Sequence, residues 1–146
     1  MHPDYFEGVL QLRNPTEEII AFIDHELETN GRTIITKEEK HKDGIDLYLT
    51  SNGFLQKLAK RLKQKFGGEL KINVRLHTRD RQTSKLVYRV NVYYRYVPEK
   101  HGSIATIRGV QYRILSQGTK VYVQNVVTGE KKYITFDTLR EAEPVK

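Results

Sequence analysis

Residues 5–31 read YFEGVLQLRNPTEEIIAFIDHELETNG, and this stretch predicts a β-strand that runs directly into an amphipathic helix. The strand covers Tyr5 to Arg13. Asn14 then offers a capping side chain and Pro15 suits the first helical position, so we expect the helix to begin there. Asn30-Gly31 ends it, because glycine tolerates the left-handed backbone that closes many helices. Helical spacing predicts a buried face made of Ile19, Ile20, Phe22, Ile23 and Leu27.

The next residues predict a β-hairpin, a second helix and a second hairpin. Extended runs flank Asp43-Gly44, a common two-residue hairpin turn. A helix opens at Ser51-Asn52-Gly53 and closes at Gly67-Gly68. Apolar and polar residues then alternate over 69–97, which is typical of two antiparallel strands joined by a polar loop.

The first part therefore has the order β-α-β-β-α-β-β and belongs to the α+β class. We expect two layers, with both helices on one face of a mostly antiparallel sheet. A ferredoxin-like core with an added strand is one possible arrangement. The order of the strands within the sheet does not follow from the sequence.

A change of pattern after Pro98 marks a second domain. Residues 98–102, PEKHG, have the composition of a linker. Short strands follow at 103–108, 111–116, 119–126 and 131–136, which predicts a small closed, all-β barrel of the SH3/KOW-like type. The expected domains are 1–98 and 99–146.

Charge is distributed unevenly along the chain. Residues 1–50 contain 5 Lys/Arg against 11 Asp/Glu, a net −6, whereas residues 51–100 contain 13 against 3, a net +10. Residues 101–146 contain 7 against 4, a net +3. A strongly basic middle third beside an acidic first third indicates a surface that binds a polyanion. A solvated cationic face that only aids solubility is the alternative.

The basic residues form three groups. The first lies along the side of the second helix opposite Leu55, Leu58, Leu62 and Phe66, where like charges at helical spacing repel each other. The second lies on the hairpin, where Tyr93 is also a candidate for stacking on a base, although packing explains it nearly as well. The third lies on the predicted barrel. The candidate RNA-binding residues are Lys57, Lys60, Arg61, Lys63, Lys65, Arg75, Arg79, Arg81, Lys85, Arg89, Tyr93, Arg95, Arg108, Arg113, Lys120, Lys131 and Lys132.

Catalysis is the weaker interpretation. The chain contains no cysteine, and its five histidines are not spaced as metal ligands. It contains no glycine-rich phosphate loop and no visible nucleophile–base arrangement, although a triad is spatial and the sequence alone does not rule one out. We expect no enzyme activity, no metal, no cofactor and no small-molecule substrate. No apolar stretch has the length of a membrane span, so we expect a soluble, cytoplasmic and monomeric protein.

Two segments resemble one known family. The run 5–13, YFEGVLQLR, is similar to the strand ending in Gln-x-Arg that opens the central region of Nmd-three proteins, which are assembly factors of the large ribosomal subunit. The run 42–49, KDGIDLYL, resembles the Asp-Gly segment of the same family. A basic helix and a charged hairpin follow in the family's order, so the resemblance covers nearly the whole chain, most clearly before Pro98.

The resemblance implies a central domain related to a large-subunit ribosomal protein, then a barrel like that of the hypusine-bearing translation factor. It places both on the intersubunit face of the large subunit, near the tRNA exit region and its stalk. Family members begin with a zinc domain of Cys-x-x-Cys pairs, which is absent here, so we expect a fragment lacking that domain. The eukaryotic tail with its transport signals is also absent, which favours an archaeal protein.

The prediction from the sequence is thus a factor in ribosome assembly or quality control that docks on ribosomal RNA of the large subunit. Two alternatives stay open: a module that binds a partner protein, and a general binder of single-stranded RNA. Salt-insensitive binding would favour the first alternative. Comparable affinity for bare oligonucleotides would favour the second.

Overall fold

The computed structural model describes residues 5–79 and 86–142, with the side chains of 77–79 and 86–87 left out. The chain divides into two compact units: residues up to Phe66 with Leu70–Tyr96, and residues 67–69 with those from Val97 onward. The first unit contains β1 (Gly8–Arg13), α1 (Glu17–Asn30), β2 (Ile35–His41), β3 (Gly44–Leu49), α2 (Asn52–Phe66), β4 (Glu69–Arg79) and β5 (Leu86–Arg95), except that Glu69, the first residue of β4, belongs to the second unit.

The five strands of the first unit form one sheet in the order β2-β3-β1-β5-β4. Strand β1 pairs antiparallel with β3, where Leu10 faces Leu47. On its other side β1 pairs parallel with β5, where Leu10 faces Val92. Strands β2 and β3 are antiparallel. The predicted α+β class with mostly antiparallel sheets is confirmed, and the sheet order is what sequence reasoning left undetermined.

Both helices pack on the same face of this sheet. Leu55, Leu58 and Leu62 of α2 share one core with Ile19 and Ile23 of α1. The sheet contributes Leu10, Leu12, Leu47, Leu49, Val90, Val92 and Tyr94 to that core. Because side chains alternate across a strand, the residues between these positions lie on the opposite face, which neither α1 nor α2 covers.

The start of α1 differs from the prediction by two residues. Thr16 is the N-cap, and its hydroxyl accepts a hydrogen bond from the Ile19 amide at 3.2 Å. Asn14 has a left-handed backbone with φ of 53° and donates its side-chain amide to the Tyr96 carbonyl instead. The predicted cap at Asn14 is therefore wrong, because that residue is used to turn the chain out of β1. The predicted end at Gly31 is confirmed, with φ of 68°.

Gly44 is required by a close approach to β1. The two-residue loop of the hairpin is Lys42-Asp43, since His41 pairs with Gly44. The prediction of an Asp43-Gly44 turn was therefore displaced by one residue. A Cβ atom at Gly44 would lie 2.9 Å from the carbonyl carbon of Leu12 and still nearer to its oxygen. Glycine is needed there because both of those atoms belong to a paired strand.

Strand β4 is more exposed than its alternating pattern predicts. Leu70 packs against the core, but Ile72, Val74 and Leu76 are exposed. The expectation of a half-buried strand therefore holds only at its start. The reason is position: β4 is the last strand of the sheet order, and beyond Leu70 it extends past the core formed by the two helices.

The second unit has a four-stranded antiparallel sheet in the order β6-β7-β8-β9. Its elements are β6 (Ile104–Ile107), β7 (Val110–Gln117), β8 (Val121–Asn125), β9 (Lys131–Ile134) and α3 (Phe136–Leu139). Ile107 pairs with Val110, so Arg108-Gly109 forms the turn, with positive φ at both residues. Among the described residues no pairing joins β9 to β6, and closure into a barrel stays a prediction.

Helix α3 was not predicted. The sequence pattern extended the last strand to Phe136, whereas β9 ends at Ile134. Thr135 caps the following helical turn by accepting a hydrogen bond from the Thr138 amide. Phe136 and Leu139 are buried in the core of the second unit, together with Ile114, Val121 and Val123. One helical turn therefore buries two apolar side chains that a continued strand would separate onto alternate faces.

We predict that Gly44→Ala destabilises the first unit by about 2–3 kcal/mol, because the added Cβ forces β1 and β3 apart. Urea unfolding followed by circular dichroism measures the change. The matched control is Gly53→Ala in the first turn of α2, where an added Cβ has no other atom within 4 Å. It should be neutral or stabilising by up to about 1 kcal/mol. Equal effects of the two changes would contradict this account of Gly44.

Candidate nucleic-acid interface

The basic side of α2 is exposed because the opposite side is buried. Leu55, Leu58, Ala59 and Leu62 are almost completely buried. Since a helix turns every 3.6 residues, Lys57, Lys60 and Arg61 point away from the sheet, and all three are exposed. Gln64 and Lys65 extend the same side, while Lys63 is half-buried on its flank. The structure thus brings the predicted helix residues together on one surface, which we call the helix face.

Some of the cations on the helix face already interact with neighbouring side chains. Arg61 forms an ion pair with Glu26 of α1. The Lys65 ammonium lies 4.9 Å from the ring centre of Phe22 and 5.6 Å from that of Phe66, which is cation–π geometry. Lys57 and Lys60 have no carboxylate partner among the described residues. The positive charge available to a ligand on the helix face is therefore centred on these two lysines.

A groove lies beside Lys57, between the end of α1 and the first half of α2. It has a volume of about 240 Å³. Both polar and apolar groups line it: Glu26, Thr29, Asn30, Phe54, Lys57, Leu58 and Arg61. With Lys57 and Arg61 on one wall and Glu26 on the other, the groove is not uniformly cationic, so the exposed crest of α2 is the better surface for phosphate.

The second group of predicted residues lies on the uncovered face of the first sheet. Arg75 of β4 is exposed, whereas Arg89, Tyr93 and Arg95 of β5 are half-buried. The Arg89 guanidinium lies 4.0 Å from the Phe6 ring centre, and its Nε donates to the Phe6 carbonyl at 3.4 Å. Lys71 lies over Tyr93 at 5.8 Å. Arg81, Lys85 and the Arg79 side chain lie outside the described residues.

These two groups face opposite sides of the first unit. The helix face lies on the outer surface of the helical layer, and the β4–β5 residues lie on the uncovered sheet face. Sequence reasoning identified both groups but not their separation, because the separation depends on which sheet face the helices cover. One flat surface of RNA therefore cannot contact both groups at once.

Toward β2, the uncovered sheet face carries a hydrogen-bonded network of acidic and basic side chains. There Asp46 is buried and accepts from Arg13 at 2.8 Å, and it lies 2.9 Å from the His41 Nε2 atom. Glu39 accepts from the Tyr48 hydroxyl at 3.1 Å. Hydrogen bonds from Lys37, first, and from Tyr48 lower the pKa of Glu39, while burial followed by the bond to Glu39 raises the pKa of Tyr48. This network was not predicted from the sequence.

Glu39, His41 and Asp46 bring their ligand atoms within 4.8 Å of one another, which is close enough to hold a metal ion. Both oxygens of Asp46 are already engaged, one by Arg13 and one by His41. A fixed positive charge at this distance opposes binding of a cation. The cluster is therefore explained as a network that joins β1, β2 and β3.

The third group of predicted residues lies in the second unit. Arg108 forms a two-point ion pair with Glu141, at 2.9 and 3.1 Å, and this pairing raises its pKa. Lys132 lies 5.0 Å from the Tyr112 ring centre. Arg113, Lys120 and Lys131 are exposed. Arg108 is thus occupied by a carboxylate, while the other four form no ion pair among the described residues.

Two tyrosines of this unit were not identified from the sequence. Tyr122 of β8 and Tyr133 of β9 are paired on adjacent strands, on the same face of the sheet. Their ring centres are 4.6 Å apart and the ring planes are inclined by 32°. Tyr133 is 66% exposed. Alternation of buried Val121, Val123 and Ile134 with these positions was a signal that would have placed both rings outside the core.

Residues 5–95 match the family model described as NMD3, second domain. The chain belongs to the NMD3 family. This confirms the resemblance drawn from the segments 5–13 and 42–49 at the level of the family, and NMD3 proteins are associated with the ribosome. No curated protein matches the chain.

The family match includes α2 and the β4–β5 strands but ends at residue 95, before the main segment of the second unit begins at Val97. Functional statements about the second unit therefore rest on its own residues. No helix in the described part of the chain is long and apolar enough to cross a membrane.

We predict that Asp46→Asn destabilises the first unit by about 2 kcal/mol, because it removes the closer and more buried of the two carboxylates that pair with the mostly buried Arg13. Asp43→Asn is the matched control, since Asp43 is 70% exposed and lies 3.8 Å from the same arginine. That change should alter the free energy of unfolding by less than about 0.5 kcal/mol. Urea unfolding at neutral pH compares the two, and a larger effect at Asp43 would contradict the assignment of Asp46 as the main partner.

Proposed function

We propose that this protein is a non-catalytic binding factor of the large ribosomal subunit, active in the cytoplasm during ribosome assembly or quality control. The observation that carries the proposal is the helix face of α2, where Lys57 and Lys60 are exposed without a carboxylate partner. Such lysines suit the phosphate backbone of RNA, which gives affinity without sequence preference. Membership of a ribosome-associated family supports the ribosome as the source of that RNA.

The helix face is the proposed primary contact. Its charge is available, whereas Arg89 on the sheet face is stacked on Phe6 and Arg108 in the second unit is paired with Glu141. Because the helix face and the sheet face point in opposite directions, the second can reach RNA only if the RNA folds around the unit. The other proposed contacts are secondary: Lys63, Lys65, Arg75, Arg79, Arg81, Lys85, Tyr93, Arg95, Arg113, Lys120, Lys131 and Lys132.

The second unit is the proposed second RNA-binding site. We assign it to residues 99–146 as an SH3/KOW-like barrel, after a first domain of residues 1–98. Two weak sites on one chain bind more tightly than either alone when the linker lets both engage. Of the predicted cations of this unit, Arg113, Lys120, Lys131 and Lys132 have no ion-pair partner in the part of the chain that the structure describes.

A protein-binding role is the second candidate, and β4 is the observation that favours it. Ile72, Val74 and Leu76 are exposed at 39%, 52% and 58% in the edge strand of the sheet. An exposed edge strand with an apolar face is a surface to which a partner strand adds. A ribosomal protein on the large subunit is such a partner, so this role and RNA docking are compatible.

We predict that Lys57→Glu combined with Lys60→Glu weakens binding to purified large subunits about tenfold or more near physiological salt. The slope of log affinity against log salt should fall by about 1.4–1.8, since each of the two lost phosphate contacts removes about 0.7–0.9. Co-sedimentation with large and small subunits across a salt series measures both quantities. Arg61 is left unchanged because a glutamate there would lie beside Glu26 and disturb the packing of α1 on α2.

The matched control is Lys40→Glu combined with Lys42→Glu. These lysines are also exposed, change the net charge equally and lie in the β2–β3 hairpin, away from α2 in the sequence. They should alter large-subunit binding by less than about threefold, a change of 0.7 kcal/mol or less. If both pairs of substitutions lower the affinity for large subunits equally, the interaction is a nonspecific attraction between charges. If the unaltered chain pellets equally with large and small subunits, the assignment to the large subunit is refuted.

A further inference from the structure

The second unit carries an aromatic surface that its core does not use. Tyr122 and Tyr133 lie on the outer face of the sheet, since the residues next to them, Val121, Val123 and Ile134, are buried on the inner face. Their rings are in contact, with centres 4.6 Å apart. Tyr133 is the most exposed aromatic side chain among the described residues, at 66%. One ring face of the pair is therefore open to a ligand.

A row of polar and cationic residues runs beside these rings on the same face. Arg113 pairs with Gln124, and Gln124 pairs with Lys131 across β7, β8 and β9. Gln124 and Lys131 are each two residues along the strand from a tyrosine, a distance of about 6.7 Å. Arg113 donates to the Gly102 carbonyl at 3.3 Å, and neither it nor Lys131 pairs with a carboxylate among the residues described. The open ring therefore lies next to a row that ends in two exposed cations, with Lys131 on the same strand as Tyr133 and Arg113 two strands away.

A purely structural role for the pair is the simpler explanation, since facing aromatic residues stabilise sheets. That role accounts for Tyr122, which is half-buried against its neighbours. It does not require that Tyr133 leave most of its surface in water beside a row of exposed cations. At two other tyrosines of the described part of the chain a lysine lies over the ring: Lys132 is 5.0 Å from the ring centre of Tyr112, and Lys71 is 5.8 Å from that of Tyr93.

We infer that Tyr133, supported from beneath by Tyr122, is a stacking site for an unpaired nucleobase, with Arg113 and Lys131 neutralising the adjoining phosphates. Single-stranded RNA is recognised through such platforms, because every base presents a π-face and duplex bases do not. The inference rests on the proposed function, since it takes RNA as the partner. It adds that this unit binds unpaired nucleotides, and it moves the stacking role from Tyr93 to Tyr133.

The test uses the full 146-residue chain and two fluorescently labelled probes, a ten-nucleotide oligoadenylate and a ten-base-pair RNA duplex. Tyr133→Leu should weaken oligoadenylate binding about tenfold, the usual effect of removing one stacked base, and leave duplex binding within about twofold. Tyr133→Phe keeps the ring and should bind as the unaltered chain does. Fluorescence anisotropy at fixed salt measures each affinity.

Two controls separate stacking from folding. Tyr88→Leu removes an exposed ring from the first unit and should leave both probes unaffected. Thermal unfolding must show that Tyr133→Leu is folded at the assay temperature. If that variant is unfolded, Tyr133→Phe and Arg113→Gln with Lys131→Gln decide instead: full binding by the first and about tenfold loss by the second support the site.

The inference is overturned if Tyr133→Leu binds oligoadenylate as tightly as the unaltered chain, or loses both probes equally while still folded. It is also overturned if the unaltered chain binds no oligoadenylate. Failure of the proposed function is a separate result, in which the unaltered chain does not pellet with large subunits whatever the outcome at Tyr133.

Discussion

Strand β1 is the constraint on which the first unit depends, because it pairs on both sides and buries one whole face. Leu10 and Leu12 are completely buried, and the register of β1 with β3 and β5 places them beside Leu47, Val92 and Tyr94. A slip of one residue would exchange these leucines with Gln11 and Arg13. The apolar face, and with it the side on which α1 and α2 pack, is thereby determined for all five strands.

That choice of face divides the basic residues. Those of α2 must lie outside the helical layer, since the apolar side of the helix is held against the sheet. Those of β4 and β5 that lie between core positions must occupy the other surface. The net charge of the chain is therefore a poor guide to its partner, because it sums the charges of two surfaces that one flat ligand cannot contact at once. What counts for binding is a local group without counter-charges, as at Lys57 and Lys60.

Ion pairs within each unit also reduce the number of cations that are available to a ligand. Arg13, Arg61, Arg108 and Arg140 each contact a carboxylate within their own unit. In three of these pairs the carboxylate is mostly buried: Asp46, Glu26 and Glu69 have side-chain exposures of 9%, 15% and 5%. Such arginines hold elements together, so their long-range attraction for phosphate is reduced. Lys57 and Lys60 form no such pair among the described residues, which is why the proposed RNA contact is centred on them.

The sequence alone determined the α+β class, the order of elements in the first unit and the apolar side of α2, because these depend on local periodicity and on turn residues such as Gly31. It also pointed to the family, since short segments keep their order and spacing. Only the tertiary structure decided the strand order, the pairing of Arg61 with Glu26, the role of Gly44 and the meeting of Tyr122 with Tyr133. Each of these depends on which distant residues are brought side by side, and neither local propensity nor composition contains that information.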